Sequence, residues 1–170
     1  MHNILLIYLL MGQKILIFNF IFFSFIFASS TLNAKTITGK ANIIDGDTIH
    51  INQNKIRLHG IDAPETKQKC SNNKKKWPCG KQSTLELKKL IDNKIVKCFV
   101  KDVDIYNRYV AICSVSKINL NRSMVEKGWA IAYRYYSTDY IIEEKNARKN
   151  KLGIWSGNFE EPYLFRKRNK

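Results

Sequence analysis

The chain has 170 residues, enough for one ordinary domain and too few for two comfortable ones. Hydrophobic residues at 45% and charged residues at 25% exclude a disordered chain. The 29 Lys and Arg against 14 Asp and Glu give a formal charge of +15, which argues for a polyanionic partner and against acidic proteins or neutral metabolites.

The N-terminal segment stands apart. Lys14 is the sole charged residue in residues 1–34, and Ile15 to Ala28 reads ILIFNFIFFSFIFA before the small-residue stretch SSTLNA. A charged start, a short apolar run and a small-residue end form the pattern of a secretory signal peptide, with cleavage after Ala34 and Met11 as an alternative start. Because residues 4–10 are apolar too, an uncleaved anchor within residues 4–28 is the other expectation. Removing residues 1–34 subtracts one Lys and no acid, so the basic excess belongs to the part that follows.

Residues 35–61 read as three short strands, with a turn at Asp45-Gly46 and a hairpin tip at Gln53-Asn54. Residues 66–80 form a polar, Lys-rich loop. Lys81–Asn93 suits a helix whose stripe is Leu85, Leu87, Leu90 and Ile91. Residues 95–101 and 108–115 are two strands around the turn DVDIYN. A short helix follows, capped by Asn119 or Asn121 and ended by Gly128. The aromatic run 129–136 is ordered without a defined state, and Ser137 or Thr138 caps a last helix over 139–150. Leu152–Trp155 packs back on the body, residues 158–170 are a basic tail, and its end, RKRNK, frays. Five short strands with a helix inserted after the third predict a small closed barrel, an OB-fold, within residues 35–157.

The four cysteines, Cys70, Cys79, Cys98 and Cys113, all lie after the N-terminal segment. An even count in an exported protein reads as two disulfides with three pairings open. The favoured pairing is Cys70–Cys79, closing a short loop, and Cys98–Cys113, joining two neighbouring strands.

Three segments carry the chemistry: Asp45-Gly46-Asp47-Thr48, the run from Arg57 to Glu65, and Asp104 to Arg108. Four of the 14 acids fall within residues 45–65, with Arg57 among them and Arg108 downstream. Phosphodiester hydrolysis needs such a set: hard oxygen ligands for a divalent cation, a carboxylate for the water, and guanidinium forks for the phosphoryl oxygens. Along a strand IRLHGI, Arg57 and His59 face away from Ile56 and Leu58. Asp47 meets Asp62 if their strands pair.

The DGDT turn, RLxGIDAPE, Tyr-x-Arg at 106–108, GWA at 128–130 and LGIW at 152–155 closely resemble the thermonuclease family, the staphylococcal nuclease-like domain, from about residue 36 to 157. The resemblance implies an OB-fold barrel with about three helices and a calcium-dependent nuclease acting on DNA and RNA, leaving 3′-phosphate and 5′-hydroxyl ends. It implies Asp47, Asp62 and the carbonyl of Ala63 as Ca²⁺ ligands and Glu65 as the residue that orients or deprotonates water. Arg57 and Arg108 would hold the phosphate, and Tyr106, Tyr133 and Tyr135 would sit beside the nucleotide. No stable protein partner is implied, a monomer is expected, and the membrane enters only through an uncleaved N-terminal segment. The competing class is a non-catalytic nucleic-acid-binding module, which would lack one of the five side chains.

Overall fold

The structure, a computed structural model, describes residues 35–169; the signal or anchor segment expected within residues 1–34 lies outside them. Strands β1 (Thr36–Ile43), β2 (Thr48–Ile51) and β3 (Asn54–Leu58) form an antiparallel meander. Two short pieces, β4 (Ile61–Asp62) and the hairpin β5 (Cys70–Asn72) and β6 (Lys75–Trp77), precede helix α1 (Cys79–Ile91). Strands β7 (Ile95–Val103) and β8 (Tyr109–Val115) follow. Then come β9 (Ile118–Asn119), α2 (Leu120–Glu126), β10 (Ile131–Ala132), α3 (Ile141–Lys149), a 3₁₀ turn over Gly153–Ser156 and α4 (Pro162–Arg168).

The sheet order is β3-β2-β1-β7-β8-β9, and β3 closes on β8 by a parallel pairing that leaves the two-residue β9 outside the barrel. Closure makes the expected five-stranded OB barrel and leaves its strands no free edge inside it. Alternation built it: in β8, Ala111, Cys113 and Val115 are buried while their neighbours are less so. Ile49, Ile51, Ile56, Leu58 and Val96 fill the interior, each contributing on the order of 1.5–3 kcal/mol by burial. Cys98 stands opposite Cys113 across β7 and β8 and is bonded to it. Cys70 is bonded to Cys79, joining β5 to the first turn of α1.

The differences from the sequence expectations have local causes. The hairpin tip is Asn52-Gln53, one residue earlier than expected, because Ile51 pairs with Asn54 and Asn52 takes the left-handed backbone that asparagine tolerates. The Lys-rich loop contains a hairpin, its turn made by Asn73 and Lys74, both at positive φ. Helix α1 begins at Cys79 and buries Ser83, Leu87 and Ile91, while Leu85 is exposed. Asn119 caps α2, its side chain accepting from the Arg122 N–H at 2.9 Å. Asn121 is instead buried, donating to the carbonyls of His59 and Ala111 and accepting from the Cys113 N–H. Neither Ser137 nor Thr138 caps α3, which starts at Ile141 after Tyr140. The run 129–136 supplies β10, which pairs with β4. The described residues hold four α-helices where about three were expected. The additional one is α4, in the basic tail whose end was expected to fray, with Pro162 buried at its start.

Candidate active site

The Asp45–Asp47 turn leads into β2. The Asp45 carboxylate accepts the Asp47 N–H at 3.0 Å, a local bond that shapes the turn. A Cβ on Gly46 would stand 2.0 Å from the Ser83 hydroxyl, so only glycine lets this turn press against α1. Asp47, 2% exposed, accepts from the Thr48 hydroxyl, from Arg57 Nη1 at 2.8 Å and from the Ala63 N–H at 2.8 Å. The β2–β3 register explains the Arg57 contact, since Thr48 lies opposite Arg57.

The second guanidinium nitrogen of Arg57 donates to Asp62 at 2.7 Å. One planar fork therefore bridges the two carboxylates proposed from sequence as ligands. Asp62 is fully buried, fixed in β4 against Ile131 of β10. Glu65 follows on a loop pinned by Gln68, whose N–H donates to the Glu65 carbonyl at 2.7 Å and whose side-chain oxygen accepts the Glu65 N–H. A Cβ on Gly80 would fall 1.7 Å from the Glu65 carbonyl oxygen, so α1 can start this close only with glycine there.

A residue that sequence reasoning missed completes the cluster. Arg166 of α4 donates to both oxygens of Asp62, at 2.8 and 3.1 Å, and to Glu65 at 2.9 Å. In the sequence it is one cation of the run RKRNK, with no signal separating it from its neighbours. Gln68 was missed too, being a polar residue in a polar loop.

The electrostatics show a shortage of positive charge. Burial, then the charges of Asp47 and Glu65, push the Asp45 carboxyl up to about 7. Burial and Asp47 raise Asp62 despite the pull of Arg166 and Arg57. Burial opposes the charge on Arg57, yet Asp47 and Asp62 keep its pKa raised. Asp45 thus binds a proton in the folded protein that it has released in the unfolded chain between about pH 4 and 7, and the chelated protein loses stability as pH rises through that window. Asp45→Asn is expected to raise the chelated protein's melting temperature more at pH 8 than at pH 5. Equal effects at both pH values would remove Asp45 as the source.

Arg108 is placed differently. Its guanidinium binds Asp104 through Nε at 2.8 Å and Nη2 at 2.7 Å, and it lies 5.4 Å from the Tyr106 ring centre. The Arg108 N–H and side chain hold the Asp104 carboxyl low against the effect of its burial. Arg108 makes no ion pair with Asp47, Asp62 or Glu65 among the described residues. Arg57 pairs with Val110 of β8, and Arg108 lies just before the start of that strand. Asn107 turns the chain into β8 at φ 59°.

The tyrosines divide. Tyr133 is half-buried, bonded through its N–H to the Gly60 carbonyl, and its hydroxyl is pushed up by burial and then by the charge of Asp62. Tyr135 is 81% exposed, its ring 6.4 Å from that of Tyr133. Tyr106 is exposed beside Arg108. His59 faces Asp139 at 4.0 Å and pairs with none of the carboxylates in the cluster.

Among the described residues, no three acidic, histidine or cysteine side chains converge closely enough to hold a cation. Asp47 and Asp62 meet through Arg57. The donor chemistry nonetheless suits a hard divalent ion: the donors are oxygens, two carboxylates are almost wholly buried, and Asp47, Asp62 and Glu65 share two guanidinium groups with Asp45 beside them.

A family model described as "Staphylococcal nuclease homologue" matches residues 55–157. An "Uncharacterized endonuclease" of Haemophilus influenzae (strain ATCC 51907 / DSM 11121 / KW20 / Rd) is 35% identical, over 75% of this chain and 71% of its own. A "Micrococcal nuclease" of Shigella flexneri is 34% identical, over 75% of this chain and 79% of its own. A "Probable staphylococcal-like nuclease CAN2" of Oryza sativa subsp. japonica is 34% identical over 71% of this chain, which spans 31% of that plant protein.

Proposed function

The chain belongs to the staphylococcal nuclease family and is a phosphodiester-cleaving nuclease, and from that premise we propose that it is an exported, calcium-dependent enzyme for both DNA and RNA that leaves 3′-phosphate and 5′-hydroxyl ends. The observation that carries the reading is the Asp47–Arg57–Asp62 bridge with Glu65 beside it through Arg166. Asp47, Asp62 and the Ala63 carbonyl would hold the ion, which when bound supplies positive charge to the phosphoryl oxygens.

The remaining work falls to the chain. Glu65, 31% exposed at its side chain, is open enough to meet a water and orient or deprotonate it. Arg57 is rooted in a strand paired on both sides and held by Asp47 and Asp62 through two of its five N–H groups, so it would meet the phosphate with the remaining ones. Arg108, just before the strand that pairs with that of Arg57, leaves Asp104 for the departing 5′-oxygen. Tyr106, Tyr133 and Tyr135 line the nucleotide side.

The nucleic-acid partner is supported by charge. A groove of about 380 Å³ between the β5–β6 hairpin and α4 carries Lys67, Lys69 and Lys76 with Phe159 and Phe165, and its Arg168 is paired with Glu160, so three lysines and two aromatic rings are left to meet a single strand. Export is supported by the signal-like residues 1–34 and by two disulfides.

The full chain is expected to degrade plasmid DNA and RNA with calcium and to stop in chelator. The fragments should accept a 5′ label from polynucleotide kinase without prior phosphatase treatment. Cleavage that persists in chelator would overturn the cation requirement, and fragments that need phosphatase first would overturn the proposed polarity.

A further inference from the structure

Arg166 lies beyond the stretch matched by the family model, and none of the steps above uses it. Its guanidinium spans Asp62 and Glu65, the two acids that deal with cation and water in the proposed reaction. Asp62 has about four lone-pair sites on its two oxygens, and arginines take three of them, two from Arg166 and one from Arg57. An ion that binds Asp62 has to recover some of that capacity and to tolerate a guanidinium at bonding distance from its own ligand.

The contact is built into the fold. Gln68, 1% exposed, accepts the Glu65 N–H with its side-chain oxygen and donates its amide to the Glu160 carbonyl at 2.7 Å. That single buried side chain ties the Glu65 loop to the residues that start α4. Ser71 and Asn158 exchange two backbone hydrogen bonds at 2.8 Å, joining the approach to α4 to the disulfide-bonded hairpin.

Of the two arginines, Arg166 is the one able to yield. Arg57 is 14% exposed at its side chain and sits on a closed barrel strand; Arg166 is 30% exposed on a seven-residue helix. We propose that Arg166 is a tethered counter-cation of the site, competing with the divalent ion for Asp62 while it also holds Glu65, so that the C-terminal helix sets the cation affinity of the enzyme. The proposal rests on the calcium reading. It makes the coupling reciprocal: calcium loosens α4 by the same factor by which docked α4 weakens calcium.

Calorimetric titration of the full chain with calcium tests it, together with thermal unfolding in chelator and in saturating calcium. Arg166→Gln removes charge-assisted hydrogen bonds that compete with the ion, so it is expected to bind calcium at least about tenfold more tightly than wild type. Its melting temperature should fall by about 3 °C in chelator, where the carboxylates lose their partner. That deficit should vanish in saturating calcium. Arg166→Lys, which keeps the charge and loses the fork, should fall between the two. Unchanged or weaker calcium binding by Arg166→Gln, with the same thermal deficit in both conditions, would overturn the competition and leave a structural ion pair. Wild type that binds calcium and cuts DNA alongside such a variant would fail this proposal alone; wild type that binds no calcium and cuts in chelator would fail the calcium reading with it.

Discussion

Glu65→Gln is expected to lower turnover on DNA by at least about 10²-fold while single-stranded DNA still binds. A carboxylate that orients or deprotonates water acts chiefly in the transition state, and general-base catalysis contributes roughly 10²–10⁴-fold. The substitution is nearly isosteric, and the amide oxygen can still accept from Arg166, so the loop held by Gln68 and Gly80 is left in place. Affinity rests on the basic surface, where phosphate contacts release counterions, and it should weaken steeply as salt rises in wild type and variant alike. Initial rates and fluorescence anisotropy, both with calcium present, separate the two effects. Turnover close to wild type would remove Glu65 from the chemistry.

Arg57→Ala is expected to damage stability and activity together. The side chain bridges two carboxylates with exposures of 3% and 0%. Taking one partner from a buried pair typically costs about 3–5 kcal/mol, because Asp47 is left with no counter-charge and Asp62 keeps only Arg166. Urea unfolding in chelator measures that loss. Calcium should restore part of the stability, since the oxygens that Arg57 vacates are then free for the ion, but activity should stay low because the guanidinium that meets the phosphate is gone. An Arg57→Ala protein as stable as wild type in chelator would mean that the bridge does not persist in solution.

Much of the barrel was legible because its strands alternate: the buried positions of β8 and the interior isoleucines of β2 and β3 repeat with a period of two. Asp47 and Arg57 could be read together because the β2–β3 register sets Thr48, beside Asp47, opposite Arg57, and Asp62 because it follows Arg57 by only five residues. Hairpin β5–β6 was hidden, since its three-residue strands CSN and KKW are too short to alternate and its Asn-Lys turn lacks glycine. Asn121 was read as a rival cap because asparagine serves at helix starts; burial against the His59 and Ala111 carbonyls depends on barrel closure, which no local pattern encodes. Arg166 was least legible. It meets Asp62 across 104 residues, and the cations around it share its composition and differ only in where α4 points them.

That separation gives the carboxylate cluster two ages in the life of a folding chain. Arg57 finds Asp62 and Asp47 across 5 and 10 residues, closures that need little chain entropy and that fall within residues 47–62. The parallel seam between β3 and β8 must wait for β8, and Arg166 for the whole domain, because distant pairings are the slow ones. A chain emerging from its N-terminal side therefore assembles the inner half of the cluster early and carries it half-neutralised until its last helix arrives.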